Sequence, residues 1–204
     1  MIDGVFYLKG CDDLVARAKD ILERPFSINY VNLIVQGAIV GLITGGIVSC
    51  FRWIIDHSLK LLFWWYPYLE KHLSYVLVYA LFLVAISWLL SKILKYDLTN
   101  LVGSGVPQVE AILLGQNSYA PWQILWRKFV GGLLAICPGL FLGREGPCIQ
   151  MGACVGKGLA NDVFKTSKKD QQTLLLAGVA AGLAAAFSAP LAGVLFMVEE
   201  ITMT

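Results

Sequence analysis

The sequence predicts an all-α integral membrane protein, a multi-helix bundle in which short, broken helices follow two full membrane crossings. Its composition is the first reason, because 57% of the 204 residues are hydrophobic and only 15% are charged. Soluble domains of this size are about 45–50% apolar and about 25% charged. The second reason is two long stretches without a charged residue, and the third is a series of short apolar segments, several opening on proline. These features predict that most of the chain lies within a lipid bilayer.

The charge balance and the cysteines exclude several classes of function. The formal net charge is +2 and the charged residues are spread along the chain, so nothing indicates a nucleic-acid partner. The five cysteines form no C-x-x-C pair, and we interpret them as inert thiols of the core. No glycine-rich stretch has the spacing of a nucleotide-binding motif. The sequence therefore predicts a protein that is not an enzyme and that needs no cofactor and no metal.

The first part of the chain, residues 1–29, is predicted to be a cytoplasmic segment that precedes a transmembrane domain at residues 30–204. Within it, residues 10–24 have the apolar and charged faces of an amphipathic helix at the membrane surface, and Pro25 ends that helix. The segment lacks the short apolar core and the cleavage site of a signal peptide. We therefore expect the N-terminus to stay in the cytoplasm.

Two charge-free stretches, residues 31–51 and 73–90, are each about long enough to cross a bilayer of roughly 30 Å. Glycines recur at four-residue spacing in the first of them, which predicts a face that another helix can approach closely. These glycines are Gly37, Gly41 and Gly45. An aromatic cluster at residues 63–68 is typical of an interfacial belt, and Lys92 and Lys95 place the end of the second crossing on the cytoplasmic side.

The remaining apolar segments are short and interrupted by glycine and proline, which predicts broken helices. They occupy residues 107–114, 122–137, 147–159, 173–187 and 190–201. Three of them open on a proline directly after a small or glycine-rich turn, at residues 103–107, 143–147 and 188–190. Broken helices whose N-termini meet within the membrane are how transporters build a substrate site, with the positive helix ends facing an anion.

A charged pentapeptide, Gly143-Arg144-Glu145-Gly146-Pro147, stands within this otherwise apolar region. Pro147 fits the first position of a helix, and the two glycines let the backbone come close to whatever lies in front of that helix. The free N–H groups and the positive end of the helix dipole then form a site for an anion. The carboxylate of Glu145 suits the same site, so the pentapeptide predicts an anion site with a built-in competitor. The alternative is a loop ion pair between Arg144 and Glu145 that caps the helix.

The most basic connection in the second half of the chain sets the direction of the last helices. It runs through Lys157, Lys165, Lys168 and Lys169. The positive-inside tendency places this loop in the cytoplasm. The start of the preceding helix and Glu145 then lie very roughly 15–20 Å deep. The last helix returns toward the cytoplasm and carries Glu199 and Glu200 at its inner end. Glycine pairs at four-residue spacing predict close packing of these segments, and they are Gly152 with Gly156 and Gly178 with Gly182.

Three stretches taken together resemble the CLC family of chloride channels and proton-coupled chloride transporters. They are Gly103-Ser104-Gly105-Val106-Pro107, the pentapeptide at residues 143–147, and residues 182–193 followed by Glu199 and Glu200. Each stretch is a weak pattern, but their order and spacing make a chance match improbable. The resemblance covers nearly the whole chain after the first thirty residues. It matches the first half of a prokaryotic-type CLC subunit, which is built from two inverted halves.

The resemblance also implies roles for individual residues. The first of these turns is implied to bind the central anion, with the hydroxyl of Ser104 as the donor. The backbone N–H groups of the pentapeptide are implied to line an outer anion site. Glu145 matches the gating glutamate, whose carboxylate occupies an anion site and swings away on protonation. Glu200 matches the inner proton-transfer glutamate of the transporters, and Glu199 is its neighbour on the water route.

The function implied by the resemblance is chloride transport across the membrane, as proton-coupled antiport. A passive, voltage-gated-type chloride channel of the same family is the first alternative, and Glu200 argues against it because channels generally replace that residue. A fluoride exporter or a nitrate-selective member agrees less well with Ser104. From another class, the chain could be a membrane interaction fragment that transports nothing. The implied partners are chloride, protons, lipid and a second identical subunit, and the implied location is the plasma (inner) membrane of a prokaryote.

Overall fold

A computed structural model describes residues 28–71, 73–115, 119–140 and 142–201, and every regular element within these residues is helical. The helices are α1 (Ile28–Lys71), α2 (Leu73–Leu94), α3 (Leu98–Leu101), α4 (Val106–Leu113), α5 (Pro121–Ile136), α6 (Glu145–Gly158), α7 (Lys168–Phe187) and α8 (Pro190–Phe196). Two π-helical turns continue α6 and α8, at Leu159–Val163 and Met197–Ile201. The predicted all-α fold with broken helices is confirmed. The predicted surface helix at residues 10–24 lies outside the described residues.

The first helix, α1, is much longer than the predicted crossing at residues 31–51. It has 44 residues, which corresponds to a length of about 66 Å at about 1.5 Å per residue. In the described part of the chain, two helices are long and apolar enough to cross a membrane, over Tyr30–Tyr68 and Tyr75–Leu94. The helix continues past Arg52 and Asp56, and both side chains have partners on or beside other helices. The aromatic cluster is therefore the last part of α1, and its rings are exposed.

One face of α1 packs against α6 and α7, and its buried side chains do not include the glycine repeat. These side chains are Val40, Thr44, Val48, Phe51 and Ile55. A Cβ at Gly41 would lie 3.9 Å from the Cβ of Ala181, whereas a Cβ at Gly37 or Gly45 would meet nothing within 4 Å. Among the described residues, the glycine row thus approaches another helix at Gly41 and is not the main contact face of α1. The buried side chains are spaced by three or four residues, and being larger than glycine they make more van der Waals contacts with the neighbouring helices.

Helix α6 lies at the centre of the bundle, since its residues 148–156 are all buried. It packs along α7 with backbone against backbone. A Cβ at Gly182 would lie 2.5 Å from the carbonyl oxygen of Cys148. A Cβ at Gly152 would collide with the carbonyl group of Gly178, and the reverse is also true. The prediction that the glycine pairs allow close packing is confirmed, and this packing fixes the position of α6 in the bundle.

We expect Gly178→Ala to destabilise the protein, because the added methyl group would overlap the backbone carbonyl group of Gly152 and no flexible side chain can move aside. Overpacking of this kind costs about 1–3 kcal/mol. The measurement is the unfolding temperature in a mild detergent. Gly37→Ala is the matched control, since its methyl group would meet nothing within 4 Å. The control should have an unfolding temperature no lower than that of the unaltered protein. Equal unfolding temperatures for the two variants would contradict the close backbone contact between Gly152 and Gly178.

Candidate anion site

The turns that precede α4 and α6 lie against each other. A Cβ at Gly146 would lie 2.5 Å from the carbonyl oxygen of Ser104, and a Cβ at Gly105 would lie 2.8 Å from the carbonyl oxygen of Gly146. Gly105 also has a φ of +91°, in the left-handed region that favours glycine. The two helices therefore begin side by side, as the sequence predicts. Any larger residue at Gly105 or Gly146 would push them apart.

Neither helix start is capped by a side chain. The N-cap residues are Gly105 for α4 and Arg144 for α6, and neither makes a side-chain capping hydrogen bond. Pro107 lies in the first turn of α4. Helix α6 begins at Glu145, so Pro147 is its third residue and the prediction that Pro147 occupies the first position is wrong. A missing N–H costs nothing in either place, because the N–H groups of a first turn have no partner within the helix.

The carboxylate of Glu145 lies in front of its own helix. Glu145 is the first residue of α6 and is partly buried, and its Oε2 would lie 2.7 Å from a Cβ at Gly143. The side chain therefore folds back over the preceding turn, next to the positive end of the helix dipole. Within the described part of the chain, no side chain forms an ion pair with this carboxylate.

The guanidinium group of Arg144 pairs with α1. Its Nη1 donates to Oδ1 of Asp56 over 2.9 Å, and both side chains are only partly exposed. The alternative prediction, a capping ion pair between Arg144 and Glu145, is therefore wrong. Because Asp56 neutralises the guanidinium, Glu145 stands beside a helix start without a full positive charge of its own.

One helical turn before Asp56, Arg52 holds another chain reversal. Its Nη1 donates to the carbonyl oxygen of Ala185 over 2.5 Å and to Oγ of Ser188 over 2.7 Å, at the end of α7. One polar turn of α1 thus anchors both the pentapeptide and the turn before α8. Arg52 and Asp56 follow directly after the charge-free stretch at residues 31–51, and this role was not predicted. A base and an acid four residues apart in an apolar helix were the available signal.

A buried cation holds the turn that carries Ser104. Lys128 on α5 is 7% exposed, and its Nζ donates to the carbonyl oxygens of Leu101 over 2.9 Å and of Gly103 over 3.1 Å. Hydrogen bonds from a charged donor are stronger than neutral ones, so this contact fixes the backbone that leads into Ser104. Lys128 stands within the apolar segment at residues 122–137, and no role was predicted for it. A single lysine among apolar residues at membrane depth was the signal for it.

The side chain of Gln150 links α6 to α3, directly before the same turn. It is fully buried, and its Nε2 donates to the carbonyl oxygen of Asn100 over 2.5 Å. Its Cβ would lie 3.0 Å from a Cβ at Gly105. Asn100 in turn donates through Nδ2 to Oδ2 of Asp97 over 2.7 Å, and Asp97 caps α3. Buried polar contacts therefore attach this turn to both α5 and α6.

The two glutamates predicted for proton transfer lie away from the paired turns. Glu199 and Glu200 belong to the π-helical turn Met197–Ile201, about 15 Å along the helix from the chain reversal at residues 188–190. Glu199 is exposed, and the side chain of Glu200 lies outside the described part of the structure. The structure thus brings the turns at residues 103–107 and 143–147 together and places the two glutamates at the other end of the last helix.

Two broken helices that begin side by side within an all-α membrane bundle are the arrangement on which membrane transport proteins build their substrate sites. The family model described as voltage gated chloride channel matches residues 81–204, more than half of the chain. The chain belongs to this family, which is the CLC family that its sequence resembles.

Curated relatives are similar to most of the chain. The H(+)/Cl(-) exchange transporter ClcA of Vibrio parahaemolyticus is 37% identical over 185 residues, which cover 88% of this chain and 38% of the relative. The protein of the same name from Vibrio cholerae is 47% identical over 100 residues, which cover 48% of this chain and 21% of the relative. The chain therefore spans at most about two-fifths of the length of these relatives.

Two solved structures of antiporters are similar to this chain in fold. A slow cyanobacterial Cl-/H+ antiporter is similar with a TM-score of 0.73 and 35% identity, over 83% of this chain and 40% of that one. A CLC-type fluoride/proton antiporter is similar in fold, with a TM-score of 0.67 and 24% identity over 86% of this chain and 41% of that one. The fold of this chain is thus that of one part of a longer antiporter chain, and the protein is an integral membrane protein.

Proposed function

We propose that this chain is the first half of a proton/chloride antiporter subunit and that its paired helix starts form part of the anion pathway. The observation that carries the proposal is the carboxylate of Glu145, which lies at an uncapped helix start without a described cation partner. A carboxylate and a chloride ion suit the same place, and only one of them can occupy it. A relative named as an H(+)/Cl(-) exchange transporter, 37% identical over 88% of this chain, supports the assignment.

Chloride is bound by partial charges rather than by a free cation. Ser104 is exposed and its hydroxyl can donate; the residue directly precedes the N-cap of α4, and its backbone lies against Gly146 in the first turn of α6. The nearby cations are occupied, since Arg144 pairs with Asp56 and Lys128 binds two backbone carbonyl groups. Such a site replaces the hydration shell of the ion without trapping it, which a conducting pathway requires.

Chloride and the ionised carboxylate of Glu145 compete for the position in front of α6, and this competition couples chloride movement to proton movement. When Glu145 is ionised, its carboxylate takes the position in front of α6 and keeps chloride out. When a proton neutralises it, the side chain loses its attraction to the helix start, leaves, and an anion enters. Protons reach this point from the inner end of α8, through Glu200 with Glu199 beside it. Anion and proton therefore share the outer part of the route and separate toward the inside.

A second half of the subunit completes the site in this proposal. Ser104 and Gly143 are exposed, so the paired turns are open on one side, and the relatives are more than twice as long as the matched region. The second half covers this side and adds further donors to the anion. We also propose that the complete subunit forms a homodimer in the plasma membrane of a prokaryote, with the N-terminus in the cytoplasm.

The test is a flux experiment in liposomes that contain the protein at its full encoded length. A chloride gradient should drive protons against their own gradient, because one binding place serves both ions. Chloride movement without any proton movement would favour the passive channel, which Glu200 argues against. No movement of either ion would favour a membrane interaction fragment.

Removal of the Ser104 hydroxyl tests the anion site separately. Ser104→Ala should weaken chloride binding by about 0.5–1.5 kcal/mol, or about two- to twelvefold in Kd, because one hydrogen bond to the ion is lost. Calorimetric titration with chloride measures this change. Ser91→Ala removes an exposed hydroxyl from α2, away from the paired turns, and should leave the Kd unchanged. A Kd that does not change in Ser104→Ala would remove Ser104 from the site.

A further inference from the structure

The end of α2 and the beginning of α5 form one surface, which we call the basic surface. It consists of Trp88, Lys92, Lys95, Tyr96, Trp126 and Arg127. The hydroxyl of Tyr96, just after α2, donates to Oε1 of Gln123 on α5 over 2.5 Å. The guanidinium carbon of Arg127 lies 3.4 Å from the centre of the Tyr96 ring. These contacts hold the two helix ends together.

The cations of the basic surface have no acidic partner among the described residues. They are Lys92, Lys95 and Arg127. The Nζ of Lys92 lies 3.8 Å from the centre of the Trp88 ring. The neighbouring carboxylate, that of Asp97, accepts hydrogen bonds from the N of Asn100 over 3.2 Å and from its Nδ2 over 2.7 Å, and is engaged in capping α3. A second carboxylate, that of Asp162, lies near the beginning of α5 and accepts from Nε1 of Trp122 over 2.6 Å. Three cations beside two engaged carboxylates leave this surface positive.

The basic surface also lies at the end of a helix that is long and apolar enough to cross a membrane. Helix α2 carries the candidate span Tyr75–Leu94, and none of its 18-residue apolar window is buried inside the protein. The side chain of Trp88 is 62% exposed and that of Trp126 is 66% exposed. Exposed tryptophan beside basic residues at the end of a spanning helix is typical of the interface between membrane and water. The cations therefore lie at the depth of lipid headgroups.

We propose that the basic surface binds the headgroup of an anionic phospholipid. Arg127 and the two lysines bind the headgroup phosphate, because a guanidinium matches the geometry of phosphate and the ammonium groups add charge. Trp88 and Trp126 lie against the glycerol and the first acyl carbons. A phospholipid is favoured over a free phosphate because only a lipid covers the exposed indole rings as well as the cations. The bound lipid joins α2 to α5, and this inference does not rest on the proposed transport function.

The test compares phosphatidylglycerol with phosphatidylcholine of the same acyl chains. Native mass spectrometry of the protein at its full encoded length, in a neutral detergent, counts the lipids retained as the lipid concentration rises. We expect phosphatidylglycerol to be retained over phosphatidylcholine. Combining Arg127→Gln with Lys95→Gln should weaken this retention by about fivefold for each cation removed, the factor that corresponds to about 1 kcal/mol per basic residue near an anionic surface.

A matched control removes the same charge elsewhere. Lys168→Gln with Lys169→Gln acts at the start of α7 and should leave the preference intact. An equal loss in this control would indicate diffuse attraction by net charge and would overturn the proposal, as would equal retention of the two lipids by the unaltered protein. Arg127→Lys keeps the charge and should keep most of the binding, which separates lost binding from lost folding. An excess of glycerol phosphate should not displace the lipid, and displacement would also overturn the proposal.

Discussion

Glu145→Gln is expected to abolish the coupling of chloride movement to protons while chloride still moves. Glutamine has nearly the shape of glutamate, but it neither binds nor releases a proton and does not compete as an anion for the helix start. The carboxylate of Glu145 has no described cation partner, so its loss leaves no ion unpaired. We expect a complete loss of coupling, in which the number of protons moved per chloride ion falls to zero.

The measurement is proton uptake driven by a chloride gradient in liposomes, with chloride flux recorded in the same vesicles. Asp170→Asn is the matched control, because it makes the same change from carboxylate to amide at a partly exposed residue in the first turn of α7, away from the paired turns in the sequence. The control should transport both ions at the unaltered ratio. Glu145→Gln that still moved protons at that ratio would show that Glu145 does not carry the coupling.

The membrane fold is predictable from the sequence because its signals are local. Long runs without charge leave few alternatives to a spanning helix, and glycine or proline marks where α4, α5, α6 and α8 begin. The pairing of two turns follows from the same signals, since backbone can approach backbone as closely as it does at Gly105 and Gly146 only where side chains are absent. These features need no knowledge of distant contacts.

The contacts that hold the site in place are not predictable in this way. Arg144 and Asp56 are 88 residues apart in the chain, and several partners of equal chemistry were available to each. Lys128 binds backbone carbonyl oxygens, which carry no sequence signature at all. The sequence marks such residues as unusual at membrane depth, and only the fold selects their partners.

The second large effect is expected for Glu200→Gln, which should stop proton movement and leave chloride flux largely intact. Glu200 lies in the π-helical turn Met197–Ile201, at the opposite end of the last helix from the chain reversal that Arg52 anchors. Its replacement therefore changes none of the groups proposed to bind the anion, namely Ser104 and the N–H groups beside Glu145. Glu199→Gln alters the neighbouring exposed carboxylate and should reduce proton movement less.

The pH dependence of chloride flux should also differ between the two variants, and this difference separates the role of Glu145 from that of Glu200. Chloride flux in Glu200→Gln should still depend on the outside pH, because Glu145 remains able to bind a proton and to leave the helix start. In Glu145→Gln that dependence should disappear, because the residue that competes with the anion is permanently neutral. Chloride flux recorded over a series of outside pH values, for both variants in parallel, makes the comparison. If Glu200→Gln instead moved protons at the unaltered ratio, Glu200 would no longer support antiport and the passive channel would become the better proposal.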